Sequence, residues 1–457
     1  NATDASLVGR LASGVPSSVA GLAEAMQKYG SMSLAQVMAP AIRMAEEGVV
    51  VDSVYRALLL NYRERIGQYA GASVFYPNGD APVVGSRLKL PELATTLRLI
   101  AKDGPRAFYE GVIADQIVAE MSRDCDSAVK GSVVPSVRRC GIITKKDLAS
   151  YQAKWRTPIR TTYRGYALLT MPPTSSGGIT VSETLNILEG FDSMPAFGSV
   201  RYKHLLREAL QRSFMDRNTE LADPDFVQIP LVRLTSKTYA EGLRKTIDPV
   251  IARPAPTAAA TMREGMETTA HSAVDKWGNA ASMTTTLNSL FGNGVYVRGA
   301  GFFMNNTMDD FAAKPGSPNQ FGLVQGEQNA PGPNKRMLSA MSPTIVLNPR
   351  GELFLLVGGR GGPRIITSVA QIILNVIDHR MTLADAMAAP RIHHQWLPDS
   401  LYYERGGINP DVIAALNATG HRMNSTSGVG INAAIMRVKG GWEGADDPRS
   451  HGGAVGY

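Results

Sequence analysis

A threonine set directly ahead of an alternating strand–turn–strand pattern carries more chemistry than any other feature of this sequence. The run Glu267-Thr268-Thr269-Ala270-His271-Ser272-Ala273-Val274 leads through Asp275-Lys276-Trp277-Gly278-Asn279 into Ala280-Ala281-Ser282-Met283-Thr284-Thr285-Thr286-Leu287-Asn288. Breaking the peptide bond between Glu267 and Thr268 would make Thr268 an N-terminal residue. Its hydroxyl would then attack a carbonyl while its own α-amino group, with an ordinary pKa of roughly 8, takes the proton. One residue supplies both nucleophile and base. Left uncut, the Thr268-Thr269 pair is an ordinary β-branched strand pair. The turn Lys276-Trp277-Gly278-Asn279 between two alternating runs predicts a hairpin. Its second strand would place Thr286 and Asn288, at period-two spacing, on one face.

Other chemistries fit less well. Asp309-Asp310 resembles half of a metal site, but no His, Cys or carboxylate partners fall at ligand spacing, and the adjacent His393-His394 would point to opposite sides, so no catalytic metal is expected. Gly358-Gly359-Arg360-Gly361-Gly362 mimics a phosphate-cradling loop without its glycine spacing or its lysine. The formal net charge of +7 is spread over 457 residues with no basic cluster longer than pairs such as Arg138-Arg139 and Lys145-Lys146. A nucleic-acid partner is therefore not expected. No apolar run approaches the roughly 18 residues of a membrane helix. Asn1 to Ser6 lack the zones of a leader peptide, as a mature exported chain also would. Cys125 and Cys140, the two cysteines, flank a polar stretch and are expected to pair in a local disulfide.

The elements that must position Thr268 divide at that residue. Before it, apolar residues recur at helical spacing over Val19–Met26, Leu34–Glu47, Val54–Ile66, Leu90–Asp103, Ile113–Met121, Ser182–Leu188 and Tyr202–Asp216. Leu148–Tyr151 adds a short helix, Ile159–Met171 alternates like a hairpin, and the Ala/Pro/Thr-rich Ala252–Ala260 is a linker into the cut site. After it, strands dominate at Gly301–Asn305, Thr344–Leu347 and Leu353–Gly358, followed by helices at Ser368–Asp378 and Thr382–Ala389. A composition of 44% apolar and 19% charged residues allows a sizeable core.

Several ordered blocks resemble one family. They are Leu11-Ala12-Ser13-Gly14-Val15-Pro16, Met171-Pro172-Pro173-Thr174-Ser175-Ser176-Gly177-Gly178, the Thr268 segment, Phe303-Met304-Asn305-Asn306-Thr307-Met308-Asp309-Asp310-Phe311 and Gly332-Pro333-Asn334-Lys335-Arg336-Met337-Leu338-Ser339. Met341-Ser342-Pro343-Thr344, Gly358 to Thr367, His393 to Pro398 and Asp447-Pro448-Arg449 continue the series. From about Leu11 to Tyr457 the sequence is similar to the γ-glutamyltranspeptidases (γ-glutamyltransferases, glutathione hydrolases) of the N-terminal-nucleophile hydrolase superfamily. The resemblance implies an α+β fold, a four-layer αββα sandwich, and a cut that separates a mostly helical large subunit, 1–267, from a small subunit, 268–457. It implies Thr268 as nucleophile, Thr286 as the hydroxyl that orients it, and Gly361 and Gly362 as the backbone donors for the oxyanion, where glycine admits close approach. Asp310 matches the carboxylate that pairs the substrate α-ammonium; Asn288 and Ser339 match groups that bind the amino-acid end of the γ-glutamyl group. Donors would be γ-glutamyl compounds such as glutathione and glutamine, and acceptors water, amino acids or peptides. No cofactor is implied, and the compartment would be periplasmic or extracellular.

The sequence departs from the family pattern at four places. Thr307 replaces a Gln or Glu near the α-ammonium, Ala340 replaces a second serine after Ser339, and Phe321, in a lid at Pro315–Arg336, replaces a tyrosine found in some members. The Arg-Glu-x-Ala-Pro segment that normally precedes the first block, with its carboxylate-binding arginine, has no match, and the expectation is that this sequence is a piece of a longer chain. Two alternatives compete with the γ-glutamyl reading: a glutaryl-amide (cephalosporin) acylase of the same fold, and an uncleaved, inactive homologue with a binding role. Asp310 separates the first of them, because a glutaryl end has no ammonium to pair.

Overall fold

The computed structural model describes residues 4–123, 140–256, 267–450 and 452–456. Packing divides the chain into two compact units, Asn1–Trp155 with Leu287–Asp309 and Arg156–Thr286 with Asp310–Tyr457. This division is one of contacts and is separate from the division by a cut at Thr268.

The first unit is largely helical. Its helix Leu34–Glu47 opens on a capping box in which Ser33 Oγ accepts the Gln36 N–H while Gln36 Oε1 accepts the Ser33 N–H. The predicted helix Val54–Ile66 is two helices, Ser53–Asn61 and Arg63–Gly67, because Tyr62 leaves helical backbone. Ile113, Ile117, Met121, Leu148 and Val297 form one buried cluster, and Phe75, Tyr296 and Leu59 another. The predicted strand Gly301–Asn305 shrinks to Phe302–Phe303, paired antiparallel with Tyr296–Val297. Asn305 is spent on Gly14: its Oδ1 accepts the Gly14 N–H at 2.9 Å and its Nδ2 donates to the Gly14 carbonyl at 2.9 Å. Cys140 is buried and is not a free thiol. Cys125 lies outside the described residues.

The second unit is built on strands β1 (Ile159–Tyr163), β2 (Tyr166–Thr170), β3 (Thr269–Val274), β4 (Ala280–Thr285), β5 (Thr344–Leu347), β6 (Leu353–Arg360), β7 (Ile431–Val438) and β8 (Gly441–Ala445). Six of them form an antiparallel sheet in the order β8-β7-β6-β5-β2-β1. Helices α1 (Gly177–Glu189), α2 (Val200–Glu220) and α3 (Arg364–Ile377) share its core. Leu355 and Val357 of β6 pack with Val181 and Leu185, Leu206 and Leu210, and Ile366 and Val369 from the three helices. Alternate positions on a strand point to opposite faces, and Gly358 accordingly meets Ala270 and Ser282 of the β3–β4 hairpin. The β3–β4 hairpin thus packs on the face of β6 opposite the helices. Helix layer, sheet and hairpin thus follow one another, and Thr268 stands at the hairpin's entrance.

Two boundaries differ from the periodic reading for physical reasons. Helix α1 starts at Gly177, ahead of the predicted Ser182, because the glycines serve packing: a Cβ on Gly178 would lie 2.1 Å from the Met171 carbonyl oxygen. Helix α2 runs on to Glu220 because it is buried around its circumference, with Lys203, Arg207, Glu208, Arg212 and Arg217 all inside, so polar residues hide the apolar period. The hairpin needs a correction. Strand β4 ends at Thr285, and Asn288 has φ +75°, left-handed backbone that asparagine tolerates better than most residues. Thr286 and Asn288 therefore do not share a strand face.

Candidate active site

Thr268 precedes β3 with φ +94°. For a β-branched residue that region is an outlier, held at a cost on the order of 1–3 kcal/mol. Its hydroxyl donates to Thr286 Oγ1 at 3.0 Å. On the other side of the same peptide, the Gly361 N–H donates to the Glu267 carbonyl oxygen at 3.0 Å. The Glu267 carbonyl therefore has a backbone donor on its oxygen and an oriented hydroxyl on the next residue. A carbonyl with a backbone donor on its oxygen, next to a hydroxyl held by a hydrogen bond, is compatible with an N-to-O acyl shift at this peptide.

The glycine pair follows β6 and leads into α3, whose first backbone bonds run from Arg364 N–H to the Gly361 carbonyl and from Ile365 N–H to the Gly362 carbonyl. Gly361 has φ +121° and Gly362 φ +56°. Space adds to the conformational demand at the second: a Cβ on Gly362 would fall 2.7 Å from Phe321 Cε1. Phe321 thus lies directly on Gly362. Its segment is tied down from within, since Asn319 Oδ1 accepts the Phe321 and Leu323 N–H groups and Gln395 Nε2 donates to the Phe321 carbonyl at 2.9 Å.

Asp310 and Ser339 also belong to this second unit. Ser339 is fixed by the turn Thr174–Ser176: its N–H donates to the Thr174 carbonyl, its own carbonyl accepts the Ser176 N–H at 2.9 Å and the Ser176 hydroxyl at 2.6 Å, and its Oγ donates to Ser175 Oγ at 3.0 Å. Behind the turn lies Arg217, fully buried, whose Nε donates to Ser176 Oγ at 3.1 Å. Burial pulls its guanidinium down to about 10, and the Asp310 carboxylate opposes that fall. Asn288 and Thr307 belong to the first unit. There Asn288 Nδ2 donates to the Asn306 carbonyl at 3.1 Å, and the Thr307 hydroxyl donates to Asn305 Oδ1 at 2.7 Å. Asp309, also in the first unit, accepts from Ser6 Oγ at 2.8 Å.

Ala340 is half-buried against the core and follows Ser339 directly. A hydroxyl there would add a donor beside Ser339. The Ala340→Ser variant is expected to lower KM for a γ-glutamyl donor about tenfold with kcat little changed, the mark of an interaction equal in ground and transition states. Steady-state kinetics check it; an unchanged or raised KM means that the donor carboxylate docks elsewhere.

Nothing in the described residues gathers three or more metal-ligating side chains. The two histidines are occupied and buried: His393 bonds Thr367 and Gln395, His394 bonds Asp399 and the Trp396 N–H. Burial pushes them down to about 3 and about 4, so both are neutral near pH 7.

The profile of the gamma-glutamyltranspeptidase family matches residues 1–457. The chain belongs to that family. A glutathione hydrolase proenzyme from Escherichia coli (strain K12) is 43% identical over 456 residues, covering 97% of this chain and 75% of the relative. An acylase ACY 1 proenzyme from Pseudomonas sp. (strain SE83) is 35% identical, covering 98% of this chain and 76% of the relative. Among solved structures, a cephalosporin acylase from Bacillus halodurans matches with a TM-score of 0.82 at 28% identity, over 97% of this chain and 78% of that one.

Within this γ-glutamyltranspeptidase-family chain, sequence reasoning missed the groups behind the site. Ser175 and Ser176 lay in a recognised block but had no role there until their bonds to Ser339 were seen. Arg217 falls one residue past the predicted helix Tyr202–Asp216, and nothing in the sequence marks it. Asn329 gave no signal at all.

Proposed function

We propose that the protein is a self-processing γ-glutamyltransferase and hydrolase that acts through a γ-glutamyl ester on Thr268. The observation that carries this reading is the pair of contacts on either side of one peptide, Thr268 Oγ1 to Thr286 and Gly361 N–H to the Glu267 carbonyl. Cleavage frees the Thr268 amine. That amine then takes the hydroxyl proton as Thr268 attacks the γ-carbonyl of the donor, and the oxyanion forms against the Gly361 and Gly362 N–H groups. The amine returns the proton to the leaving amine. Water or an amino acid or peptide then attacks the ester by the same steps in reverse order. Asp310 supplies the counter-charge for the donor's α-ammonium, while Ser339 and Asn288 bind the amino-acid end. The donors are glutathione and related γ-glutamyl compounds, and the compartment is periplasmic or extracellular.

The test is donor choice. γ-Glutamyl anilides are expected to turn over far faster than glutaryl anilides, which lack the ammonium. Asp310→Asn is expected to lower kcat/KM for the γ-glutamyl donor by between about 10- and 100-fold, the value of a charge-assisted hydrogen bond, and to leave the glutaryl donor little changed. Equal rates for the two donors in the unmutated enzyme would favour the acylase reading.

A further inference from the structure

Asn329, in the Pro315–Arg336 segment, is completely buried. Its carboxamide reaches in two directions. Nδ2 donates to the Asp310 carbonyl oxygen at 2.8 Å and to Gln325 Oε1 at 2.5 Å, while Oδ1 accepts the Leu338 N–H at 3.1 Å. Its backbone carbonyl accepts the Ala312 N–H at 2.9 Å. The residues it grips are Asp310, which faces the donor's ammonium in the proposed reaction, and Leu338, the immediate neighbour of Ser339, which faces the donor's carboxylate. One rigid planar group is thus bonded to the backbones that carry the two readers of a zwitterion.

We propose that Asn329 is the positioning residue that sets the spacing between Asp310 and Ser339, and so the selectivity for an α-amino-acid end on the donor; this rests on the γ-glutamyl reading of the site. An amide suits the task because it holds a donor and an acceptor at a fixed separation and in one plane. Asp310 has its backbone held by Asn329, and Ser339 is braced from behind by the Thr174–Ser176 turn and Arg217. An Asp310 backbone free to shift would offer its carboxylate to the ammonium at many positions, and the donor would lose the advantage of a preset site. The side-chain hydrogen bonds of Asn329 go to Asp310, Gln325 and Leu338 and not to Thr268, Gly361 or Gly362, so its effect falls on binding and not on bond making.

The experiment compares Asn329→Ala with the unmutated protein on a γ-glutamyl anilide and a glutaryl anilide, with formation of the Thr268 terminus followed by intact mass. The expected result is normal self-cleavage, a KM for the γ-glutamyl donor raised about tenfold with kcat within about twofold, and a smaller ratio of γ-glutamyl to glutaryl kcat/KM. A lower kcat at unchanged KM and unchanged donor ratio would overturn the proposal, because a residue that merely supports the fold lowers the amount of competent enzyme. Unchanged kinetics would overturn it as well. If Asn329→Ala does not cleave itself, Gln325→Ala carries the same test, since Gln325 shares the Asn329 amide; a KM rise of about threefold with the same donor signature is then expected, and unchanged kinetics overturn the proposal. Absence of γ-glutamyl turnover in the unmutated protein would instead remove the functional reading on which the proposal stands.

Discussion

Thr268→Ala is expected to leave the chain in one piece and without activity. Intact-mass measurement of the unmutated protein should find two pieces divided between Glu267 and Thr268, whereas the variant should show one uncut chain. The reason lies in what each atom supplies. In the proposed reaction the hydroxyl bonded to Thr286 is the attacking group for the shift onto oxygen, and an alanine has none. Without the shift there is no free amine, so the base is lost with the nucleophile. A conservative Thr268→Ser keeps both groups but lacks the methyl that restricts χ1, so slower cleavage at the same bond is expected. A new terminus at Thr269, or a single uncut chain in fully active enzyme, would show that the chemistry resides elsewhere.

The second large effect is expected at Gly362. An added methyl meets two obstacles there, a φ of +56° and the Phe321 ring at 2.7 Å. Left-handed backbone costs an alanine on the order of 1–2 kcal/mol, and overpacking typically costs a further 1–3 kcal/mol. The ring yields only if the segment around Phe321 shifts, and that segment is tied through Gln395. Gly362→Ala is therefore expected to displace the glycine pair and reduce kcat by about 10²–10³, the loss seen when one oxyanion donor is removed. Phe321→Ala in the same chain should restore part of that loss by clearing the overlap, while the backbone penalty stays. Rates that multiply independently in the four-member cycle would mean that the ring and the glycine do not communicate.

How far the sequence revealed this arrangement depends on what held each piece in place. The helices Leu34–Glu47 and Pro91–Asp103 and the strand pair β1–β2 were readable because one side faces a core and the other does not, which leaves a period in the sequence. Helix α2 lost that signal through burial all round. The stretch from Thr286 to Asn288 was misread as a continuing strand because alternation persists for three residues beyond the last pair of β4, and nothing local marks the positive φ of Asn288. For the candidate site the pattern was similar. Thr268, Gly361 and Gly362 stood out by residue type and by resemblance, whereas Asn329 and Arg217 act through partners far along the chain, Asn329 through Asp310 and Arg217 through Ser176. A buried amide has no periodicity to betray it.

The hydrogen bond from Gly361 to the Glu267 carbonyl makes maturation a test of workmanship. In the proposed reaction that carbonyl occupies the place of the donor's γ-carbonyl, so the site would be closed to any other acyl group until the chain had performed the reaction once on itself. A molecule whose glycine pair is misplaced, or whose hairpin has docked out of register, fails at this first reaction and stays inert. Self-cleavage of this kind would sort the pool of working enzyme molecule by molecule. Each active copy carries, in its new amino terminus, a record that its geometry was once good enough to react.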